Sequence, residues 1–350
     1  MGGALELRAM NGSDADLVAF RECFECNGTP RRLDVLRWQY ADNPTHELVV
    51  NLAVSDERIA AIYAVQPGFV RVRGAVRLAA QSVDTLVDAD FRGHGLFTKM
   101  AEAAYERVRE LDGAFVYGFP NGNSAPGFFG KLRWRSLDPV PFLVRPLRTA
   151  FLASKLPLGR WLRRLPDLRV PIRGPELPAS YELRPVTVLG PELDALWQRF
   201  ATNVTVAVDR SAEYLRWRLT KTGEQYQCLG VFDQAQLVAF CAYTTVDKHG
   251  GRIGYVIELL HEPGAHEVGA ALLVECLRRM AADGADAVLA WSFRHSPNAK
   301  AYSTGGFVTL PERLRPIELH FGVRPLDDSL SNVVGDRRNW YISYCDSDTV

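Results

Sequence analysis

Ser82-Val83-Asp84-Thr85-Leu86-Val87-Asp88-Ala89-Asp90-Phe91-Arg92-Gly93-His94-Gly95-Leu96-Phe97 is the stretch on which the reading of the fold turns. Ser82 to Val87 has the composition of a strand. Gly95 to Leu111 sets Leu96, Met100, Ala104, Val108 and Leu111 on one face, which predicts an amphipathic helix. Between them lies a turn of the form R-G-x-G, with backbone N–H groups free at a helix N-terminus. Such groups, together with the helix dipole, hold a pyrophosphate. Gly93 and Gly95 let the backbone come close to phosphate oxygens and take positive φ where needed. Arg92 either pairs with the phosphates or ties the turn to the core, and His94 reads as a phosphate neighbour.

Outward from this stretch, elements follow on both sides. Leu5 to Arg8 is a short strand, and Ser13 caps a helix over Asp14 to Glu25. Arg31 to Tyr40 is a second helix, ended by Asn43-Pro44. Leu48 to Val54 and Ile59 to Val65 are strands, and Val70 to Ala80 folds as a hairpin about Gly74. After the long helix come a strand, Ala114 to Phe119, and a short helix, Ser124 to Leu132.

The 350 residues suggest two domains. With 47% hydrophobic and 23% charged residues the chain is globular rather than disordered. Lys+Arg 41 against Asp+Glu 41 gives no net charge, so no nucleic-acid partner is expected. No signal peptide and no membrane-length apolar run is visible, which makes the cytoplasm the expected compartment. Cys23 and Cys26 form a C-x-x-C, but a second ligand pair and a βα turn are both missing, so no metal is expected.

The second half repeats the first at an offset of about 175 residues. Leu36-Arg37-Trp38 returns as Leu215-Arg216-Trp217, the strand carrying Asp84 as Tyr255 to Leu259 with Glu258, and the helix after Gly95 as Val268 to Ala282. Asn123 returns as Asn298, and Arg133-Trp134 as Gly306-Phe307. Several matches in the same order argue for a duplicated domain. Between the copies, Arg145, Arg148, Lys155, Arg160, Arg163, Arg164, Arg169 and Arg173 fall among prolines. This reads as a linker with one helix, Thr149 to Leu165. Its bland role is a solvated crossover, and its sharper role is contact with a membrane surface or an acidic carrier protein.

The strand, the R-G-x-G turn, the helix and the asparagine-bearing loop resemble motif A and its surroundings in the GCN5-related N-acetyltransferase (GNAT) superfamily. The resemblance covers most of residues 40 to 140. It implies an α/β (α+β) fold of two tandem GNAT-like domains, each a mixed, mostly antiparallel twisted sheet flanked by helices. The expected division is 1–145 for the N-terminal domain, 146–184 for the linker, 185–322 for a degenerate C-terminal domain and 323–350 for a tail. It also implies acetyl-CoA as acyl donor, held by Arg92, Gly93, His94, Gly95, Leu96 and Phe97 at the pyrophosphate. Leu86, Val87 and Asp88 would bond pantetheine through their backbone. The substrate amine would attack directly in a ternary complex, without an acyl-enzyme.

Asp84 is the candidate base, because period-two alternation turns it away from Val83, Thr85 and Val87 and toward the acceptor. The alternative is a carboxylate that only positions substrate or pairs with an arginine. Tyr117, Asn121 and Glu258 are expected to line the acceptor cleft. In the family's motif B an asparagine contacts CoA and a tyrosine protonates the departing thiolate. Asn123 fits the first role, while Phe129 stands at the tyrosine position and cannot donate a proton. The second copy reverses this: Asn298 and Tyr302 precede Gly306-Phe307, but Glu262-Pro263-Gly264-Ala265 replaces the phosphate turn. Asn43-Pro44, Ser82-Val83-Asp84-Thr85 and Tyr117-Gly118-Phe119-Pro120-Asn121 are similar to a bacterial subgroup linked to polysaccharide synthesis, which implies a small-molecule or amino-sugar amine as acceptor. A protein N-acetyltransferase and a non-catalytic acyl-CoA sensor are the competing readings.

Overall fold

The computed structural model describes residues 5–56, 58–149, 151, 167–347 and 349. The predicted helix beyond Phe151, with Lys155, Arg160, Arg163 and Arg164, lies outside the described residues. The strands are β1 (Glu6–Ala9), β2 (Val49–Ser55), β3 (Arg58–Val72), β4 (Ala75–Val87), β5 (Gly113–Gly118), β6 (Arg135–Ser136) and β7 (Phe142–Pro146). They continue as β8 (Tyr181–Pro185), β9 (Val206–Val208), β10 (Gln227–Asp233), β11 (Gln236–Lys248), β12 (Gly251–His261), β13 (Ala287–Trp291), β14 (Val308–Thr309) and β15 (Gly322–Pro325). The helices used below are α1 (Asp14–Cys26), α2 (Leu33–Leu36), α3 (Leu96–Glu110), α4 (Pro191–Phe200), α5 (Ala212–Arg218), α6 (His266–Ala282) and α7 (Ala299–Thr304).

Two compact units form. The first comprises Met1–Val140, Lys221–Gly223 and Leu319–Asn339; the second comprises Pro141–Thr220, Glu224–Glu318 and Trp340–Val350. In the first, the strand order is β1-β2-β3-β4-β5-β15-β6, antiparallel except for the parallel pair β4–β5. In the second it is β14-β7-β13-β12-β11-β10-β8, with β12–β13 the parallel pair. The expected boundary at residue 145 is therefore corrected. β7 follows the first unit in sequence but pairs with β13 of the second. Conversely, β15, assigned almost wholly to the tail, pairs with β5 and β6 of the first. Each sheet accepts the strand that satisfies its edge, whichever half of the sequence supplies it.

Two cores cover the faces of the first sheet. Leu17, Phe20 and Phe24 of α1 pack on Leu52, Ile62 and Ala64. Met100, Ala104, Tyr105 and Val108 of α3 pack on Tyr63, Ala80 and Val116. Ser13 caps α1, its hydroxyl accepting from Asp16 N–H. Among the described residues, no helix is long and apolar enough to cross a membrane.

Candidate functional site

The site is made where β4 leaves β5. Their parallel pairing runs from Leu78↔Gly113 to Ser82↔Gly118 and then stops, although β4 continues to Val87. At that last pair a Cβ on Gly118 would lie 2.9 Å from Ser82 O, so glycine is what lets the strands close there. On its other edge β4 stays paired with β3, Thr85 with Tyr63 and Leu86 with Ile62. The register slips between these pairs and Val65↔Ser82, so Val83 and Asp84 together oppose Ala64. A bulge of this kind bends and twists the strand, and here it swings β4 off β5.

The bulge corrects one step of the sequence reading. Val83, Thr85 and Val87 do not share a face. Val83 packs with Leu86 on the α1 side, whereas Val87 packs on the α3 side. Asp84 is 3% exposed. Its Oδ1 accepts from Arg31 at 2.5 Å, and its Oδ2 accepts from the Tyr40 hydroxyl at 2.8 Å and from Gln39 at 3.4 Å. Tyr40 and Gln39 sit on a π-helical turn, Arg37–Ala41, that continues α2. The pairing with an arginine, held open beside the base role, is thus present.

The gap between the strands widens into a cleft of about 790 Å³. One wall is Thr85, Leu86 and Val87 of β4 with Asn27 and Thr29 from the turn after α1. The floor is Phe91, Arg92, Gly93, Gly95, Leu96, Phe97 and Thr98, and the opposite wall is Asn123, Ser124, Pro126, Gly127 and Lys131. Gly93 and Gly95 stand at φ 85° and 72°, and a Cβ added at either would meet nothing within 4 Å. The left-handed backbone, not crowding, is what requires glycine there. The ladder of α3 begins with Lys99 N–H donating to Gly95 O at 3.1 Å. The amides of Leu96, Phe97 and Thr98 therefore have no intrahelical acceptor and mark the positive end of the dipole. Arg92 and Lys131 line the cleft, and among the described residues no Asp or Glu does, although the chain as a whole has no net charge. Such a cleft selects an anion.

Leu86, Val87, Arg92, Gly93, Gly95, Leu96, Phe97 and Asn123 thus come together in one cavity. The remaining expected residues do not line it. Asp88 is structural: its N–H donates to Ala60 O at 2.9 Å, and its carboxylate accepts from Asp90 N–H, Asn27 and Arg58. Burial alone would raise its pKa, but these hydrogen bonds hold it below the usual carboxylate value. His94 is exposed and outside the cavity. Asn121 is a cap, its Oδ1 accepting from the N–H groups of Asn123 and Ser124 at 3.0 and 3.1 Å. Tyr117 is buried between Phe115 and Phe119.

Motif B also departs from the spacing read in the sequence. Gly127–Lys131 is a π-helical turn, which inserts one residue. Trp134 N–H donates to Phe128 O at 3.1 Å, as Phe307 N–H donates to Tyr302 O at 3.0 Å in the second unit. Phe128, not Phe129, therefore stands where Tyr302 stands, and each packs edge-on to the aromatic residue after the turn. Phe129 is displaced toward Gly322 and His320. The site lacks the tyrosine on either count.

The second unit has the same split and fills it. β12 pairs with β13 only from Ile253↔Ala287 to Tyr255↔Leu289. Beyond that, Asn298 donates to Leu259 O at 2.9 Å and to the Tyr341 hydroxyl at 3.1 Å. Tyr344 stacks on Trp291, ring centroids 4.6 Å apart, and meets Tyr255 edge-on. Glu258 was expected to line an acceptor cleft. It is instead 0% exposed, paired with Arg210 at 2.6 Å, and accepts from Ser343 and Tyr341. Arg210 also pairs with Asp346 at 2.6 Å. The tail closes this split with its own side chains.

Asn27, Thr29, Thr85, Phe91, Thr98, Ser124, Pro126, Gly127 and Lys131 line the cavity but were not among the expected residues. Lys131 lies four residues after Gly127, so helical spacing from the Asn123 loop points to it. Asn27 and Thr29 gave no signal, because the packing of α1 on the first sheet, with the Asn27–Asp88 hydrogen bond, brings them near Val87.

Residues 7–136 match the family model described as an acetyltransferase (GNAT) domain. A comparison with curated proteins finds no sequence match. Among solved structures, a GCN5-related N-acetyltransferase from Anabaena variabilis aligns with TM-score 0.64 at 11% identity, covering 95% of this chain and 75% of that one. An Enterococcus faecalis protein described as a probable N-acyltransferase aligns at 0.64 and 9% identity, covering 93% and 73%. Saccharomyces cerevisiae N-myristoyltransferase with bound myristoyl-CoA aligns at 0.60 and 12% identity, covering 91% and 82%. The open strand split, the R-G-x-G turn at a helix N-terminus and the family match lead to one conclusion: residues 7–136 of this chain form an acetyltransferase (GNAT) domain.

Proposed function

We propose that the chain is an N-acetyltransferase that moves the acetyl group of acetyl-CoA to a primary amine of a small molecule or amino sugar. The observation that carries this reading is the cavity between β4 and the Asn123 loop. It has a slot for pantetheine beside Thr85 to Val87, an N-terminal helix turn for pyrophosphate, two cationic side chains and, among the described residues, no carboxylate. The reaction needs no covalent enzyme intermediate. The neutral amine attacks the thioester carbonyl, the C–N bond forms, the C–S bond breaks and the electron pair leaves on sulfur. In this reading a backbone N–H of β4 beyond the split holds the developing oxyanion.

In this reading Asp84 takes the amine proton, with Arg31 and Tyr40 fixing its carboxylate. A cytoplasmic setting belongs to the same proposal, as does contact of the basic linker with a membrane surface or an acidic carrier protein. Thiol release from acetyl-CoA against a panel of amino sugars, amines and peptides tests it. Turnover with an amino sugar or small amine is expected. Turnover confined to peptides would indicate a protein N-acetyltransferase, and acetyl-CoA binding without any turnover would indicate a sensor. Asp84→Asn should lower turnover about 100-fold with acetyl-CoA affinity spared. An unchanged rate would assign the proton to water.

A further inference from the structure

Four polar side chains form a buried row at the point where β4 leaves β5. Trp134 Nε1–H donates to the Tyr105 hydroxyl at 2.9 Å, the Tyr105 and Tyr63 hydroxyls are 2.7 Å apart, and Ser82 Oγ–H donates to the Tyr63 hydroxyl at 3.2 Å. Tyr63 is 1% exposed and Tyr105 0%. The donors can be counted. One indole N–H and three hydroxyls supply four protons, and the row contains three hydrogen bonds. One hydroxyl proton is in surplus. Tyr105 accepts from Trp134, and in the Tyr63–Tyr105 pair either hydroxyl can donate. With Ser82 donating to Tyr63, the surplus proton belongs to this tyrosine pair, and when Tyr105 donates to Tyr63 the Tyr63 proton is the one without a protein acceptor among the described residues. A buried donor left unmade is costly.

The position of that proton gives it a use. Tyr63 pairs across the sheet with Thr85, which lines the cavity, and its ring meets cavity-lining Phe97 edge-on at 5.7 Å. Its hydroxyl reaches Ser82, the last residue paired with β5. A thioester in the slot would bring its sulfur to this apex. Phe128 and Phe129 supply no donor there.

We propose that the Tyr63 hydroxyl donates a hydrogen bond to the coenzyme sulfur as the thiolate departs, in place of the tyrosine that the Asn123 helix lacks. This rests on the acyl-CoA reading above. As the C–S bond breaks, the electron pair goes to sulfur, the amine proton goes to Asp84 or water, and Tyr63 keeps its own proton. It keeps it because burial lifts the Tyr63 pKa well above its ordinary value, far above the ~8.5 of a thiol.

The test needs no knowledge of the acceptor. The dissociation constants of CoA and desulfo-CoA are measured from pH 7 to pH 9 on the whole chain and on Tyr63→Phe. A hydrogen bond to thiolate lowers the bound thiol's pKa, so CoA should gain affinity relative to desulfo-CoA as pH rises, about fivefold for a shift of ~1 unit. Tyr63→Phe should flatten that ratio and leave desulfo-CoA affinity within about twofold, the control for an intact fold. Tyr105→Phe keeps the Tyr63 hydroxyl and should keep the slope. A flat ratio in the wild type, or a slope unchanged in Tyr63→Phe, overturns the inference. Failure of both ligands to bind would instead overturn the acyl-CoA reading itself.

Discussion

The two units carry the same split and treat it in opposite ways. In the first, the β4–β5 gap is open, floored by Arg92, Gly93 and Gly95 and faced by Asn123. In the second, Asn298 reaches across the gap to Leu259 O, and Tyr341 and Tyr344 fill it. The carboxylate on the bulged strand differs in the same sense. Asp84 pairs with Arg31, which is 42% exposed, whereas Glu258 and Arg210 are both sealed at 0%. A parallel split with an asparagine beside it is thus a scaffold feature. What makes it a site is a phosphate turn and an unfilled gap.

Substitutions in matched pairs can break this comparison. Gly95→Glu puts a carboxylate at the helix N-terminus and forces a side chain into φ 72°, and should weaken acyl-CoA binding by more than 100-fold. Gly264→Glu, at φ 83° in the second unit, should leave binding within about twofold while lowering stability by about 1 kcal/mol. Isothermal titration of both variants reads the difference. Next in size is Glu258→Gln. It weakens the charged hydrogen bonds from Arg210, Ser343 and Tyr341 in a fully buried network, leaves Asp346 as the counter-ion of Arg210, and should cost about 1–3 kcal/mol in urea unfolding of the second unit, with acyl-CoA affinity of the folded protein unchanged.

A smaller effect is set by pH. His261 is buried, and desolvation holds its pKa below the ordinary value even though its Nδ1 meets Glu262 O at 2.8 Å. The unfolded chain takes up the proton first, so the second unit should lose stability as pH falls below about 6.5. His261→Leu should flatten that dependence, measured as Tm between pH 7.5 and 5.5. The smallest effect concerns the motif-B turn. Arg133 holds φ 54° where the second unit has Gly306 at φ 80°. Arg133→Gly should raise stability by about 1 kcal/mol or less, a Tm gain of a few degrees.

The legible parts of this molecule are the local ones. The strand, the glycine turn and α3 are contiguous, so composition and period reveal them, and the cavity floor follows. The β4 bulge was not legible. A one-residue slip against Ala64 leaves no mark in the hydrophobic pattern, yet it decides which face Val83 and Asp84 take. The π-turn hid itself likewise, shifting Phe128 into the place assigned to Phe129. The exchange of β7 and β15 depends on pairing between distant segments. Gly322 meets Gly118 only because the first sheet has an edge there, and no window of sequence contains both. Glu258 was misread because its partners, Arg210, Tyr341 and Ser343, lie far along the chain.

The central claim is one acyl-CoA site per chain, in the first unit. Isothermal titration of acetyl-CoA into the wild type, Gly95→Glu and Gly264→Glu tests it directly. One site is expected in the wild type, none in Gly95→Glu and one in Gly264→Glu. Two sites in the wild type, or binding that survives Gly95→Glu, would contradict it.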